Sequence, residues 1–212
     1  DWALRSPSYP MTFSRHQLVL DLSRADVRDY IVDSVCKILD TAPIDYVKWD
    51  FNRHLTDAFS AKLPPERQGE VRTRFVLGLY DVLERITQTH SDVLFESCSG
   101  GGGRIDFGVL RHAHRVWTSD CIDALSRVEM QRGFLQFFPP EIMGAHVGTA
   151  PAHTTGRTQA IAFRAAVALA GHFGVELDPR QLSTEDADEL RGWIALHKRL
   201  RDRLHHGRVW RG

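Results

Sequence analysis

The sequence has little of what marks several specialised classes of protein. It contains only three cysteines among 212 residues, and its 27 Lys and Arg balance its 27 Asp and Glu. Three cysteines are too few for a disulfide scaffold, so we expect reduced thiols and a cytoplasmic protein. Zero net charge gives no general attraction to nucleic acid or anionic lipid, and no apolar run approaches the roughly 18 residues that a membrane helix needs. We therefore expect neither a nucleic-acid partner nor a membrane.

Helical and strand-like segments alternate along the chain. Helical apolar spacing follows Ser23 and Asp26, which resemble a capping pair, and it recurs after Pro64 and Pro65. A final helix is expected after Ser183. Further helices are expected over about 121–137 and 158–170, and strands over 44–49, 93–96, 116–119, 142–147 and 172–177. Such alternation is typical of parallel βα units, which build an open doubly wound sheet or a closed barrel.

Five strands are fewer than a closed barrel contains. A complete (β/α)8 barrel takes about 250 residues, whereas this chain offers five strands in 212 residues. We therefore expect an α/β fold of the (β/α)8 TIM-barrel type, present as an incomplete barrel. The chain also opens on Asp1 rather than on a methionine, so we expect a processed chain or a fragment.

Polar residues stand at the carboxyl end of strand 44–49, although a buried parallel strand should be apolar throughout. Lys48, Asp50 and Asn52 follow one another at a spacing of two, which places them on one side of an extended chain. The sequence has only four lysines and a single asparagine, and one of each flanks Asp50. Barrel enzymes carry their chemistry at this end of the strands. A structural ion pair at a strand end is the alternative interpretation.

A second carboxylate stands at the end of strand 116–119. Asp120 follows that strand directly, and Asp123 comes one turn later. One interpretation is that Ser119 or Asp120 merely caps the next helix, since Ser and Asp are favoured caps. In the other interpretation Asp120 acts together with Asp50, because a glycosidase uses two carboxylates that face each other across the mouth of the barrel.

A run of glycines, Gly100 to Gly103, follows strand 93–96 and lets the backbone approach a ligand closely. The patterns GxGxxG, GxxxxGK[ST] and GxSxG all fail here, which argues against a phosphate cradle and a nucleophilic serine. Backbone amides packed against sugar hydroxyls fit better. The eleven histidines lack the spacing of common zinc sites, so we expect no metal and no cofactor. His146 and His153 either line the site or fill a structural role.

Together these segments closely resemble glycoside hydrolase family 36, the α-galactosidases and their raffinose-processing relatives. The matching motifs span roughly residues 1–160 in the family's order. They are Arg15-His16-Gln17-Leu18-Val19-Leu20-Asp21-Leu22-Ser23, Lys48-Trp49-Asp50-Phe51-Asn52-Arg53, Cys98-Ser99-Gly100-Gly101-Gly102-Gly103-Arg104, Trp117-Thr118-Ser119-Asp120, and Met143-Gly144-Ala145-His146-Val147 followed by Pro151, His153 and Thr155-Gly156-Arg157. Each motif alone is moderately specific, and together they are a strong signal.

For catalysis, the resemblance implies a retaining α-galactosidase that hydrolyses terminal α-galactosyl residues of melibiose- and raffinose-type oligosaccharides. Asp50 would be the nucleophile that forms a covalent galactosyl–Asp intermediate, and Asn52 would support it. Asp120 would be the general acid/base. Two alternatives stay open, a transglycosylase of the raffinose-synthase type and a non-catalytic sugar-binding fragment.

For binding, the resemblance implies that Arg15 and Lys48 contact galactose hydroxyls. Cys98 and Gly101 would line the sugar near its 2-hydroxyl, and Trp117 would belong to the same substrate-binding set. The sequence also departs from the family pattern, since His16 stands where an asparagine is usual.

The resemblance also implies the domain organisation. Residues 1–212 would form the C-terminal portion of a catalytic barrel, about strands four to eight with their helices. Family members carry an upstream β-sandwich, the first barrel strands and a downstream β-rich domain, which this sequence lacks. We therefore expect a fragment that is inactive alone. The resemblance allows a homo-oligomer in the full-length enzyme.

Overall fold

The computed structural model describes residues 2–210, so Asp1, on which the expectation of a processed chain rests, lies outside the described residues. Arg211 and Gly212, the end of the predicted barrel segment, also lie outside them. The described chain forms two compact units. The first unit comprises residues 2–96 and 106–113, and the second unit comprises residues 97–105 and 114–210.

Two α-helices and two strands make up the described part of the first unit. They are α1 (Ala25–Thr41), β1 (Tyr46–Asp50), α2 (Val71–Thr89) and β2 (Leu94–Cys98). The last two residues of β2 belong to the second unit. Short 3-10 helices span Pro65–Glu70 and Val109–Arg111. Strand β1 is hydrogen-bonded to β2. The apolar faces of both helices bury a core that includes Val82, Ile86 and Phe95.

Helix α1 begins differently from the prediction. Its N-cap residue is Arg24, and no side chain caps the helix. The Ser23 hydroxyl instead donates to Asp21 Oδ1 at 2.5 Å, and Asp21 is fully buried. The predicted Ser23–Asp26 capping pair is therefore wrong, because a nearer carboxylate takes the hydroxyl.

The described part of the second unit holds three strands and three α-helices. They are β3 (Arg115–Trp117), α3 (Ala124–Phe134), β4 (Met143–Gly148), α4 (Ile161–Ala168), β5 (His172–Glu176) and α5 (Thr184–His206). Short 3-10 helices span Pro140–Ile142 and Pro179–Gln181. The three strands are parallel and in chain order, with Trp117 opposite Gly144 and Gly144 opposite His172. Ser183 caps α5, as predicted, by accepting a hydrogen bond from the Asp186 amide at 3.1 Å.

Alternating helices and parallel strands confirm the predicted α/β class. The strands of each unit follow one another in chain order, as in a (β/α)8 barrel and without the reversal that a doubly wound sheet has. The helix predicted over 121–137 is shorter, Ala124–Phe134, since its cap is Asp123. No helix among residues 2–210 is both long enough and apolar enough to cross a bilayer.

Candidate active site

Strand β1 presents two faces of different chemistry. Tyr46, Lys48 and Asp50 are exposed, whereas Val47 and Trp49 are half-buried and pack against the core of the first unit. The strand predicted over 44–49 is therefore only partly buried, since alternate side chains of a strand point to opposite faces. The predicted grouping of Lys48 and Asp50 on one face agrees with this pattern.

Asn52 contacts Asp50 directly. Its side-chain amide donates a hydrogen bond of 2.6 Å to Asp50 Oδ2. Hydrogen bonds to a charged group are shorter and stronger than neutral ones. The contact therefore fixes the orientation of the Asp50 carboxylate, as expected of a residue that supports it.

Glu96 is a polar residue of this region that the sequence reasoning did not single out. It lies on β2 with 1% of its surface exposed, and it accepts a hydrogen bond from the Tyr46 hydroxyl. Its Oε1 lies 3.5 Å from Lys48 Nζ. The alternative interpretation of this strand end was a structural ion pair, and such a pair does join Lys48 to Glu96. The pair orients the half-exposed side chain of Lys48. A carboxylate inside an otherwise apolar strand was the available signal.

Arg15 lines a cavity with Asp50 and Asn52. The cavity has a volume of about 410 Å³, and most of its other lining residues are apolar. Arg15 and His16 have φ angles of 52° and 58°. Asparagine, aspartate and histidine are the side chains that enter this left-handed region most readily, so His16 can replace the family's usual asparagine without changing the backbone.

Asp120 lies exposed in the turn between β3 and α3. The N-cap of α3 is Asp123, whose side chain accepts a hydrogen bond from the Leu125 amide at 3.3 Å. The Ser119 hydroxyl accepts one from the Cys121 amide at 3.1 Å instead. The interpretation that Ser119 or Asp120 merely caps this helix is therefore wrong. No side chain in the described chain donates a hydrogen bond to Asp120.

Asp123 is the buried anchor of the same turn. It is fully buried and accepts hydrogen bonds from Arg157 at 2.5 Å, Gln159 at 2.8 Å and Ser126 at 2.9 Å. Burial opposes its ionisation, but these donors outweigh burial, so the pKa of Asp123 is lowered from 3.8. An ionised aspartate thus ties the start of α3 to the segment after β4.

The glycine-rich segment packs against the chain just before Asp120. Gly101 has a φ angle of 88°, and a Cβ atom on it would lie 2.6 Å from the Cα atom of Ser119. The Gly102 amide also donates to the Thr118 carbonyl at 3.1 Å. The structure thus gives Gly101 a packing role against the segment that follows β3, and its expected contact with a sugar stays a prediction.

Cys98 and Trp117 lie deeper than their expected role requires. Each is 3% exposed, and both belong to one apolar cluster with Ile122 and Ala152. His146 lies over Trp117 with ring centroids 4.4 Å apart, and its Nδ1 lies 3.1 Å from Glu176 Oε2. Cys98 and Trp117 thus pack with Ile122, two residues after Asp120. Their contact with substrate stays a prediction.

The sequence model of the Melibiase family matches residues 1–207. The chain belongs to the Melibiase family. Alpha-galactosidase AgaA of Geobacillus stearothermophilus is 46% identical over 211 residues, which are 100% of this chain and 29% of that protein. The chain thus spans less than a third of the length of this curated relative.

Two solved structures of GH36 enzyme AgaA are similar to this chain. The complex with raffinose has a TM-score of 0.94 at 45% identity and covers 97% of this chain and 29% of that one. The complex with stachyose has a TM-score of 0.92 at 46% identity and covers 95% and 28%. The resemblance to glycoside hydrolase family 36 and the barrel-type α/β fold are confirmed.

Proposed function

We propose that this chain supplies both catalytic carboxylates of a retaining α-galactosidase acting on melibiose- and raffinose-type oligosaccharides. One observation carries the proposal. In AgaA, an aspartate is replaced in the raffinose complex and another in the stachyose complex, and those two positions are 70 apart. Asp50 and Asp120 are also 70 positions apart. Replacing a catalytic carboxylate is a usual way to keep a substrate intact in a crystal, so the equal spacing supports the assignment.

Asp50 acts as the nucleophile in this proposal. Its carboxylate attacks the anomeric carbon, the glycosidic C–O bond breaks, and a covalent galactosyl–Asp50 ester forms. The Asn52 amide donates to Oδ2, which leaves Oδ1 available to attack the anomeric carbon. A carboxylate that is held by one oxygen reacts from a fixed direction, which lowers the entropic cost of reaching the transition state.

Asp120 acts as the general acid and then as the general base. It first gives its proton to the departing glycosidic oxygen, and it later takes a proton from the water that cleaves the galactosyl ester. Its exposure and its lack of a hydrogen bond from any described side chain support this role. Both carboxylate oxygens are then available to a substrate oxygen and a water.

Sugar binding falls to the polar groups beside these carboxylates. Arg15 lines the cavity that Asp50 also lines, and Lys48 is oriented by the buried Glu96. Both are donors only, which suits sugar hydroxyls as acceptors. A cytoplasmic location is part of the proposal, supported by a sequence whose three cysteines are too few for a disulfide scaffold.

The test uses the chain within its natural flanking sequence. Hydrolysis of p-nitrophenyl α-galactoside is followed, and proton NMR identifies the anomer that is released first. We expect α-galactose first, and nearly complete loss of turnover in Asp50→Ala and Asp120→Ala. Asp45→Ala is the matched control, because Asp45 is exposed at the opposite end of the same strand.

Three results would contradict parts of the proposal. If β-galactose appears first, the reaction is inverting and both roles are wrong. If transfer to a second sugar dominates over hydrolysis with raffinose, the enzyme is a transglycosylase. If no α-galactoside is cleaved but galactose binds, the site is non-catalytic.

A further inference from the structure

Arg127 is the buried cation next to the Asp120 turn. It lies on α3 with 4% of its surface exposed. Its Nε donates to the Cys121 carbonyl at 2.7 Å, and its Nη2 donates to the Ser119 carbonyl at 2.8 Å. Its Nη1 donates to the Gly144 carbonyl on β4 at 3.4 Å. All three nitrogens of the guanidinium thus contact main-chain oxygens.

Two of these carbonyls belong to the residues immediately before and after Asp120. A planar guanidinium donates in a fixed fork, so the backbone is held on both sides of the Asp120 Cα atom. The third contact ties the same group to strand β4. Beneath it, the guanidinium carbon lies 4.7 Å from the ring centroid of Trp117, which leaves the fork little freedom to tilt.

Burying the Arg127 guanidinium costs free energy, and an apolar side chain could fill the same space without that cost. Burial lowers the pKa of Arg127, and the hydrogen bonds of its guanidinium go to neutral carbonyls rather than to a carboxylate. Burying a charge is costly unless the group is hydrogen-bonded, and three main-chain carbonyls supply those bonds to Arg127. The function of Arg127 at this position therefore lies in its three hydrogen-bond donors, and two of them bind the turn that carries Asp120.

We infer that Arg127 is a positioning residue for the general acid/base. It sets the place of the Asp120 carboxylate through the backbone, without touching the substrate. This inference rests on the proposed role of Asp120. Misplacing a catalytic group by about 1 Å can cost roughly 100-fold in rate, so loss of the fork should be visible in kinetics.

The experiment compares two substrates in the full-length protein. Raffinose needs its leaving oxygen protonated, whereas α-galactosyl fluoride releases fluoride with little help from an acid. In Arg127→Met, kcat/KM should fall roughly 10- to 100-fold on raffinose and less than about 3-fold on the fluoride. Arg127→Lys should be intermediate, because one ammonium cannot satisfy all three carbonyls. Arg127→Met should add little to the loss already caused by Asp120→Ala.

Arg164→Met is the matched control. Arg164 is 6% exposed and donates to another β4 carbonyl, that of Gly148, at 2.5 Å. It should leave the ratio of the two substrates unchanged. The milder Arg127→Lys keeps the test valid if Arg127→Met does not fold.

The outcomes separate this inference from the proposed function. If Asp120→Ala lowers kcat/KM equally on both substrates, the acid/base role itself is wrong. If Asp120→Ala is selective for raffinose but the Arg127 variants lower both substrates equally, Arg127 is merely structural and the inference is overturned.

Discussion

Asp50 is the last residue of strand β1 and Asp120 lies in the turn after β3. Both are exposed, yet their supports differ. Asp50 is held directly, by a 2.6 Å hydrogen bond from Asn52. Asp120 receives no side-chain hydrogen bond within the described chain, and Arg127 holds the backbone carbonyls on either side of it. A nucleophile needs one oxygen aimed at carbon, whereas an acid/base must release and take a proton in each cycle. A carboxylate can thus be positioned through its own side chain, as in Asp50, or through its backbone, as in Asp120.

The largest expected effect separates the two aspartates by stereochemistry. Asp50→Gly and Asp120→Gly should each lose most activity, by about 100-fold or more. Added azide should restore turnover of an activated aryl α-galactoside in Asp120→Gly and yield α-galactosyl azide, because the galactosyl–Asp50 ester still forms. In Asp50→Gly, azide should give no retained product. Product analysis by NMR checks this, and retained azide product from Asp50→Gly would reverse the assignment.

A smaller effect on kinetics is expected from Glu96, because it acts on Lys48 and not on a catalytic aspartate. Glu96→Gln should raise KM for p-nitrophenyl α-galactoside several-fold and leave kcat nearly unchanged, because Lys48 loses its anionic partner but Asp50 keeps Asn52. Tyr46→Phe is the control, since it removes the hydrogen bond from the Tyr46 hydroxyl to Glu96 and keeps the ion pair with Lys48. Steady-state kinetics at one pH distinguishes these variants. A fall in kcat without a change in KM would show that Glu96 acts on the reaction step instead.

The smallest effect concerns stability at the Asp120 turn. Asp123 has a lowered pKa in the folded chain, so its stabilising contribution is present above its unfolded pKa and is lost as pH falls through the folded value. Asp123→Asn should therefore lower Tm at pH 7, and the difference from the unchanged protein should shrink below about pH 4. Thermal unfolding at several pH values measures it. A difference that is independent of pH would mean that Asp123 acts through its shape and not its charge.

Much of this could be predicted from sequence, because the informative residues interrupt an apolar pattern. Lys48, Asp50 and Asn52 were visible as polar residues at a spacing of two, and Asp120 as a carboxylate following a short strand. The five strands were predicted to within a few residues because β-branched and aromatic runs alternate with helical spacing. The Ser183 cap was also predicted, since its hydroxyl accepts from the Asp186 amide at the spacing that a cap requires.

The rest depends on contacts between distant segments. The pairing of Lys48 with Glu96 requires β1 beside β2, and the ties of Asp123 to Arg157 and Gln159 require the segment after β4 beside α3. Ser23 failed as a cap because Asp21 takes its hydroxyl, a choice that spacing alone does not decide. Arg127 was missed since its partners are backbone carbonyls, which carry no signal in the sequence.

The most direct test of the central claim is to trap the covalent intermediate. A fluorinated α-galactosyl fluoride that forms the ester faster than it is hydrolysed is incubated with the full-length protein, which is then digested and analysed by mass spectrometry. We expect a fluorogalactosyl adduct on Asp50 that is absent from Asp50→Ala and still forms in Asp120→Ala. An adduct on Asp120 or on another residue would show that Asp50 is not the nucleophile.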